Sequence, residues 1–421
     1  MSSLFGGYMF VIKVGFYKCL MAVLKLAAKL IPQNPPLIFS GENSSLQLAQ
    51  FIAEQGYNRV LIVTDRVLNE LGIPDPICQV LTAHGIEFEI FDEVTPDPSE
   101  HIVERGVALG KGKQCDAVLG IGGGSSLDAA KMIAVLMNND KSVKQLAGML
   151  KIRRTAKPLY LLPTTSGTGS EVTMAAVITD TESSTKSLII SPRMLAVATA
   201  LDPVVMQGMP PKITADTGFD ALTHAVEAYL SLHANEYTNR YALTAVKLIF
   251  RHLQTAYQHG DNLEARHALA QASCYAGLAF TKAGLGYVHA ISHQLGARYH
   301  LPHGMTNAVV LPYVLTFSQD KSKERLAQLA VEIGICADNC SQAELAALFI
   351  DRVKALQNQL NIFTSLAEIQ PGDIEGLARA ALKEAHYLYP VPKYMNHQEC
   401  QQLIRQLMPD APKQLNEGKT K

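Results

Sequence analysis

Asp220 and His224 stand four residues apart in the run TGFDALTHAVEAY (217–229), and His289 and His293 repeat that spacing further on. On a helix an i, i+4 pair shares one face, so each pair can offer two polar side chains to a common centre. Of thirteen histidines, four (His289, His293, His300 and His303) fall within fifteen residues, the last directly after Pro302 in a predicted loop. One carboxylate with three imidazoles is a nitrogen and oxygen donor set suited to Fe(II) or Zn(II), and a cation so held is a Lewis acid toward an oxygen substrate. The competing account is two helices carrying ordinary polar positions. One pair would fit that account, but two pairs and a further nearby histidine weigh against it. Spacing leaves open which of the four clustered histidines bind, and a purely local choice takes His289 with His293.

Two loops point to a second ligand. Gly120-Ile121-Gly122-Gly123-Gly124-Ser125-Ser126 follows the apolar run from Ala117 and opens into a helical segment from Leu127. Glycines let backbone approach an anion, and free N–H groups and the dipole at a helix start favour negative charge, so phosphate binding is expected there. Gly120-x-Gly122 only superficially matches a dinucleotide fingerprint, which normally follows the first strand and has its acid downstream. Here the candidate ribose acid, Asp65, lies upstream, at the end of the first strong strand pattern. A carboxylate there would accept from ribose hydroxyls and repel a 2′-phosphate, favouring NAD over NADP. Pro163-Thr164-Thr165-Ser166-Gly167-Thr168-Gly169-Ser170-Glu171 adds hydroxyls and backbone donors after another strand. Either loop alone could be a structural turn; two at strand ends in one sheet favour a ligand crevice.

The elements that must position these groups change character along the chain. Val60–Asp65, Glu87–Phe91, Ala117–Ile121 and Leu159–Leu162 read as strands, with Leu188–Ile190 and Val197–Ala200 as two shorter ones. Helix-length segments such as Ser44–Glu54, a stretch from Arg66, and Ser99–Leu109 lie between them. Strand and helix in alternation imply a parallel sheet covered on both faces, a Rossmann-like α/β domain. After the Pro210-Pro211 pair, long helical periods take over, among them Ala215–Ser231, Arg240–His259, Leu263–Leu278 and a segment ending at Leu360. The division expected is an extension over 1–35, a dinucleotide-binding α/β domain over 36–209 and an all-α metal-binding domain over 210–421, with a frayed tail from Lys413.

The extension has no acid before residue 42, and four lysines (Lys13, Lys18, Lys25, Lys29). Its uncharged stretches are far shorter than the roughly 18 residues that span a bilayer, and no small-residue cleavage site follows an apolar core. A helix starting near Gly15 and stopping before Pro32 would put Lys18, Lys25 and Lys29 on one side and Phe16, Leu20, Val23, Leu24, Ala27 and Leu30 over much of the rest. Packing on the protein's own body or a sister subunit is the first reading of this helix; a weak membrane-surface contact through residues 1–31 is the second.

The chain's 421 residues are 48% hydrophobic and 18% charged, which suits two folded domains rather than disorder. Lys+Arg 37 against Asp+Glu 38 leaves a net charge of −1, so there is no basic field for nucleic acid, and no aromatic and basic residues interleave. Seven scattered cysteines, with no second pair to complete a zinc knuckle, fit a reducing cytoplasm in which most thiols are core residues.

GGGSSLDAAK (122–131), LPTTSGTGSEVT (162–173), TGFDALTHAVEAY (217–229) and GLGYVHAISHQLGARYHLPHG (284–304) occur in order, and on them the chain from about 36 to 408 resembles the group III, iron-containing alcohol dehydrogenases. The resemblance implies an N-terminal dinucleotide domain and a C-terminal helical domain (the dehydroquinate synthase-like fold), with the active site in the cleft between them. It implies Asp220, His224, His289 and His303 as metal ligands for Fe2+ or Zn2+, with His293 beside the metal as the catalytic proton carrier, replacing the local choice above. It also implies Gly122, Gly123, Gly124 and Ser125 at the pyrophosphate of NAD, Thr164, Thr165 and Ser166 along the cofactor, Asp65 at the adenosine ribose and Lys186, in Lys-x4-Ser-Pro, at the nicotinamide ribose. The activity implied is reversible hydride transfer between a small primary alcohol or aldehyde and NAD(H), in a homodimer. Gln294 and Tyr313 depart from residues frequent in the family, and the extension is not a core family feature. The rivals are a glycerol-dehydrogenase-like polyol oxidoreductase or a dehydroquinate-synthase-like lyase on the same fold, and a non-catalytic membrane-associated scaffold.

Overall fold

Short apolar runs ending in small or polar residues become strands whose C-terminal ends all face one way. The computed structural model describes residues 2–28, 34–180, 185–336 and 338–409. Helix α1 (Ser2–Ala28) precedes β1 (Leu37–Ser40), α2 (Ser44–Ala53), β2 (Arg59–Val63), α3 (Arg66–Glu70), α4 (Asp75–Ala83), β3 (Glu87–Phe91), α5 (Glu100–Gly112), β4 (Ala117–Gly122) and α6 (Gly124–Met137). After the short α7 (Val143–Leu146) and β5 (Gly148–Met149) come β6 (Leu159–Pro163), β7 (Ala175–Asp180), β8 (Thr185–Ile190) and β9 (Ala198–Leu201). Helices fill the rest: α8 (Pro211–Leu230), α9 (Glu236–Gln258), α10 (Leu263–Ala283), α11 (Tyr287–Tyr299), α12 (His303–Glu332), α13 (Gln342–Gln359), α14 (Ile374–Leu388) and α15 (His397–Gln406).

Six strands form an all-parallel sheet in the order β1-β9-β6-β4-β2-β3. Its central strands β4 and β6 are buried along their whole length, as strands covered on both faces must be. The period of two is plain in the packing. Leu61, Val63, Val118 and Leu161 join one core cluster, while Val60, Ile62, Leu119 and Leu162 join the other. Because β6, β4 and β2 are neighbours, the segments that follow them, which carry Thr164, Gly123 and Asp65, emerge side by side along one edge. β7 and β8 pair antiparallel, with β5 beside them, in a separate three-stranded sheet. The edge strand β1 and the strand β7 have no counterpart among the sequence expectations; β1 is four residues long and is recruited by pairing with β9.

Helix α8 is the axis of the C-terminal half. Fifteen of its twenty residues are buried, so it is wrapped on all sides and whatever polar groups it carries are enclosed. The two halves meet backbone to backbone. Gly169 has φ +60°, a Cβ there would lie 2.8 Å from the Gly277 Cα on α10, and its N–H donates to Ser273 Oγ at 3.2 Å.

Helix α1 begins at Ser2 rather than near Gly15, since no proline interrupts it and Phe10 and Val14 already pack on the body. Tyr17 lies against His386, Tyr387 and Tyr394, with the nearest ring centroid at 4.8 Å. Met21 is buried, its carbonyl faces His233 Nε2 at 2.9 Å, and Lys25 Nζ donates to the Leu232 carbonyl at 2.9 Å. One face of α1 therefore does pack on the protein's own body. Lys29, the stop before Pro32 and the tail from Lys413 lie outside the described residues. Among the described residues no helix is long and apolar enough to cross a membrane.

Candidate metal and nucleotide site

Asp220 and His224 come from buried α8, His289 from the first turn of α11, and His303 is the first residue of α12 rather than part of a loop. Asp220 Oδ1 lies 3.9 Å from His224 Nε2, 3.9 Å from His289 Nε2 and 3.5 Å from His303 Nε2. Asp220, His224 and His289 form the tight group, with ligand atoms all within 4.8 Å of one another, and His303 joins through Asp220. His300 caps α11 in the left-handed conformation (φ 55°) and is exposed; it turns the chain so that His303 re-enters the cluster. His293 keeps an edge-on ring contact with His289, centroids 5.9 Å apart, and also reaches other partners. Its Nδ1 is 2.7 Å from Glu384 Oε1, and its ring stacks on His303 with centroids 5.2 Å apart.

The cluster is a set of acceptors. Burial pushes His224 below the ordinary imidazole range, and burial plus the neighbouring imidazoles push His289 well below it. His303, open to the cleft on one side, is brought down to about 4 by burial against the pull of Asp220. All three are thus neutral at pH 7, the state in which a ring nitrogen can ligate. Their other nitrogens are spoken for. His289 Nδ1–H donates to Glu227 Oε2 at 2.6 Å, and Glu227 also accepts from the Gly286 and Val288 N–H groups. His224 Nδ1 faces the Gly167 carbonyl at 3.3 Å. Both contacts leave Nε2 as the inward lone pair. Burial lifts the Glu227 carboxyl to about 8, against the backbone donors that favour its charge.

Asn307, one turn after His303, puts its amide nitrogen 2.8 Å from Asp220 Oδ1, 3.1 Å from His303 Nε2 and 3.2 Å from His289 Nε2, while its Oδ1 has no partner. An amide has two hydrogens and cannot satisfy three converging acceptors. A convergent carboxylate and three neutral imidazoles short of donors is a donor set that a divalent cation fits.

Phe280 stacks on His224 with ring centroids 4.4 Å apart. Tyr287 lies in the core, where its hydroxyl meets His386 Nε2 and accepts from the Met395 N–H.

On the sheet edge, Gly122 has φ +145°, and a Cβ there would lie 2.6 Å from Ser126, so this position needs glycine. Gly123 caps α6, Gly124 opens it, and a Cβ on Gly124 would lie 2.6 Å from Thr168. The Thr164 N–H donates to the Gly122 carbonyl at 2.9 Å, so the two loops run against each other. Ser125 and Thr165 keep partial exposure there; Thr164 is buried, and Ser166 is turned inward, its hydroxyl on Met206 Sδ at 3.3 Å. Asp65 caps α3 through Leu68 N–H at 3.0 Å with one oxygen. Lys186 pairs with Asp97 at 2.6 Å.

Glu227, Glu384 and Asn307 escaped the sequence reading. Two of them carried a signal: Glu227 is three residues past His224 on one helix face, and Asn307 is four past His303. Glu384 is ninety-one residues from its partner and carried none.

A sequence model described as iron-containing alcohol dehydrogenase matches residues 35–203, and one described as Fe-containing alcohol dehydrogenase family, C-terminal, matches residues 214–408. The chain belongs to the iron-containing alcohol dehydrogenase family. Among members of this family, 1,3-propanediol dehydrogenase of Klebsiella pneumoniae is 37% identical over 376 residues, 88% of this chain and 97% of that protein. NAD-dependent methanol dehydrogenase of Bacillus methanolicus is 34% identical over 373 residues, 88% and 98% of the two chains. A crystal structure of 1,3-propanediol oxidoreductase has the same fold, with a TM-score of 0.87 and 37% identity over 90% of this chain and 100% of that one. The iron-containing alcohol dehydrogenases are oxidoreductases that use a metal and NAD, and Asp220, His224 and His289 hold ligand atoms close enough together for one metal ion.

Proposed function

We propose that this alcohol dehydrogenase interconverts small primary alcohols and aldehydes with NAD(H), using Asp220, His224, His289 and His303 as ligands to Fe2+ or Zn2+. The observation that carries the reading is the donor-poor convergence of Asp220, His289 and His303 on the Asn307 amide, with His224 Nε2 3.9 Å from the same Asp220 oxygen. A divalent cation there supplies Lewis acidity to a substrate oxygen, and bound NAD(H) supplies or accepts the hydride.

The chain's own residues do the rest. Glu227 and the Gly167 carbonyl orient His289 and His224 so that their Nε2 atoms face the centre. Glu384, also bonded by Tyr389 and Gln294, holds His293 by Nδ1. Burial alone would raise the Glu384 carboxyl, yet His293 and these donors bring it below the usual range, so it stays a carboxylate acceptor. That leaves His293 Nε2 to hold or pass a proton between substrate and solvent, as the catalytic residue. Gly122, Gly123, Gly124 and Ser125 would take the pyrophosphate, with Thr164 and Thr165 alongside. Ser166 would support the loop from within. Lys186 would reach the nicotinamide ribose after exchanging Asp97 for it, and the free oxygen of Asp65 would favour NAD over NADP. Phe280 on His224 argues for a small substrate. A homodimer in the cytoplasm is the setting proposed, on the cysteine usage and the family resemblance.

The test is elemental analysis of anaerobically purified protein together with NADH oxidation over C2–C6 aldehydes. Stoichiometric iron or zinc and turnover of the short aldehydes are expected; turnover undiminished in metal-stripped protein would overturn the reading. The polyol oxidoreductase and lyase readings are not favoured by the relatives, and an intact ligand cluster argues against a non-catalytic scaffold.

A further inference from the structure

Helix α1 has two apolar faces and only one of them is used. Phe10, Val14, Tyr17 and Met21, at helical spacing, form the inner stripe on the body. Val11, Ile12, Phe16, Val23 and Leu26 stand outward, each between 57% and 70% exposed, and these five are over a quarter of the nineteen large exposed hydrophobics among the described residues. At 100° per residue they share one arc of about 140° with Gly15, Cys19 and Ala22, and between Val11 and Leu26 no charged side chain interrupts it. So dense an apolar strip on one helix is an interaction surface rather than scatter.

Charge decides what covers it. Lys18 and Lys25 border the arc on one side and Lys13 on the other, while residues 1–41 contain no acid. Two copies packed by this face would bring lysines against lysines with no carboxylate between them. Anionic headgroups complement Lys13 and Lys18, while Lys25 already donates to the Leu232 carbonyl on the body, and an apolar strip flanked by lysines is the pattern of an interfacial helix. The helix does not itself span. We infer that the outer face of α1 docks the enzyme on an anionic phospholipid bilayer surface, with the apolar strip at the acyl boundary and the lysines among the headgroups. This rests on no part of the catalytic reading.

The experiment is flotation of the full-length protein with phosphatidylcholine vesicles, with and without phosphatidylglycerol, beside light scattering without vesicles. The wild type should float with the anionic vesicles and about tenfold less with neutral ones, and salt should release it. Ile12→Ser with Phe16→Ser should cut flotation about tenfold or more while leaving NADH oxidation in solution unchanged, because both side chains face outward. Lys13→Gln with Lys18→Gln should do so to a smaller degree, without touching the Lys25 contact to the body. A wild type that stays with the unbound fraction, or serine substitutions that leave flotation intact, would overturn the inference. So would a dimer that the serine substitutions dissolve, which would assign the face to a second copy.

Discussion

The two halves of the cleft are made of different material. The proposed metal side is side chains: one carboxylate and three imidazoles carried on helices, with further partners such as Glu227 and the Gly167 carbonyl behind them. The proposed nucleotide side is backbone: Gly122, Gly123 and Gly124 where a strand becomes a helix, pressed against the Thr164 segment. A site of side chains can be deleted by one substitution that keeps the fold. A site of backbone can only be obstructed, by adding atoms where none fit.

The sharpest way to break that contrast is Asp220→Asn. It removes the carboxylate shared by three imidazoles, and metal content and turnover should fall together, on the order of a thousandfold for turnover. NADH binding, followed by fluorescence, should stay within about twofold. Equal loss of both functions would mean the halves are one site. Glu227→Gln asks whether the support behind His289 matters as the ligand does; metal affinity should fall about 10–100-fold in a chelator competition, with nucleotide binding again unmoved. Gly122→Ala is the converse. Its Cβ would meet Ser126 and its φ would be strained, so the KM for NADH should rise about tenfold while metal content holds. The smallest effect lies outside both sites. Burial lowers His386 to about 4, while an unfolded histidine titrates near 6.5. As pH falls below about 6.5 the unfolded chain takes the proton first, so stability is lost down to about pH 4 and is flat below. The Tm drop between pH 7 and pH 5 should be about 2 °C smaller in His386→Phe, at the cost of a lower Tm at pH 7 from the lost Tyr287 bond.

Legibility followed the same division. Asp220 with His224, and the Gly122–Ser125 turn after a strand, were readable because spacing along one element fixes where such groups go. The parallel sheet was readable from its buried central strands. Choosing His303 over His300 and His293 was not, since it depends on a left-handed residue at the end of α11 and on a carboxylate from α14 that no local pattern announces. The motif resemblance supplied that choice. Ser166, which the resemblance puts along the cofactor, shows what no motif announces: its hydroxyl donates to Met206 Sδ in the interior. The start of α1 was misplaced for a related reason, because the body it packs on is more than two hundred residues away in sequence.

The glycine pair at the junction of the halves has a mechanical meaning. With Gly169 laid on Gly277 and no side chain between, a sliding motion there would drive a Cα into a carbonyl. A methyl group added at either glycine would wedge the halves apart, and the Gly167 carbonyl, two residues from Gly169, would lose its hold on His224.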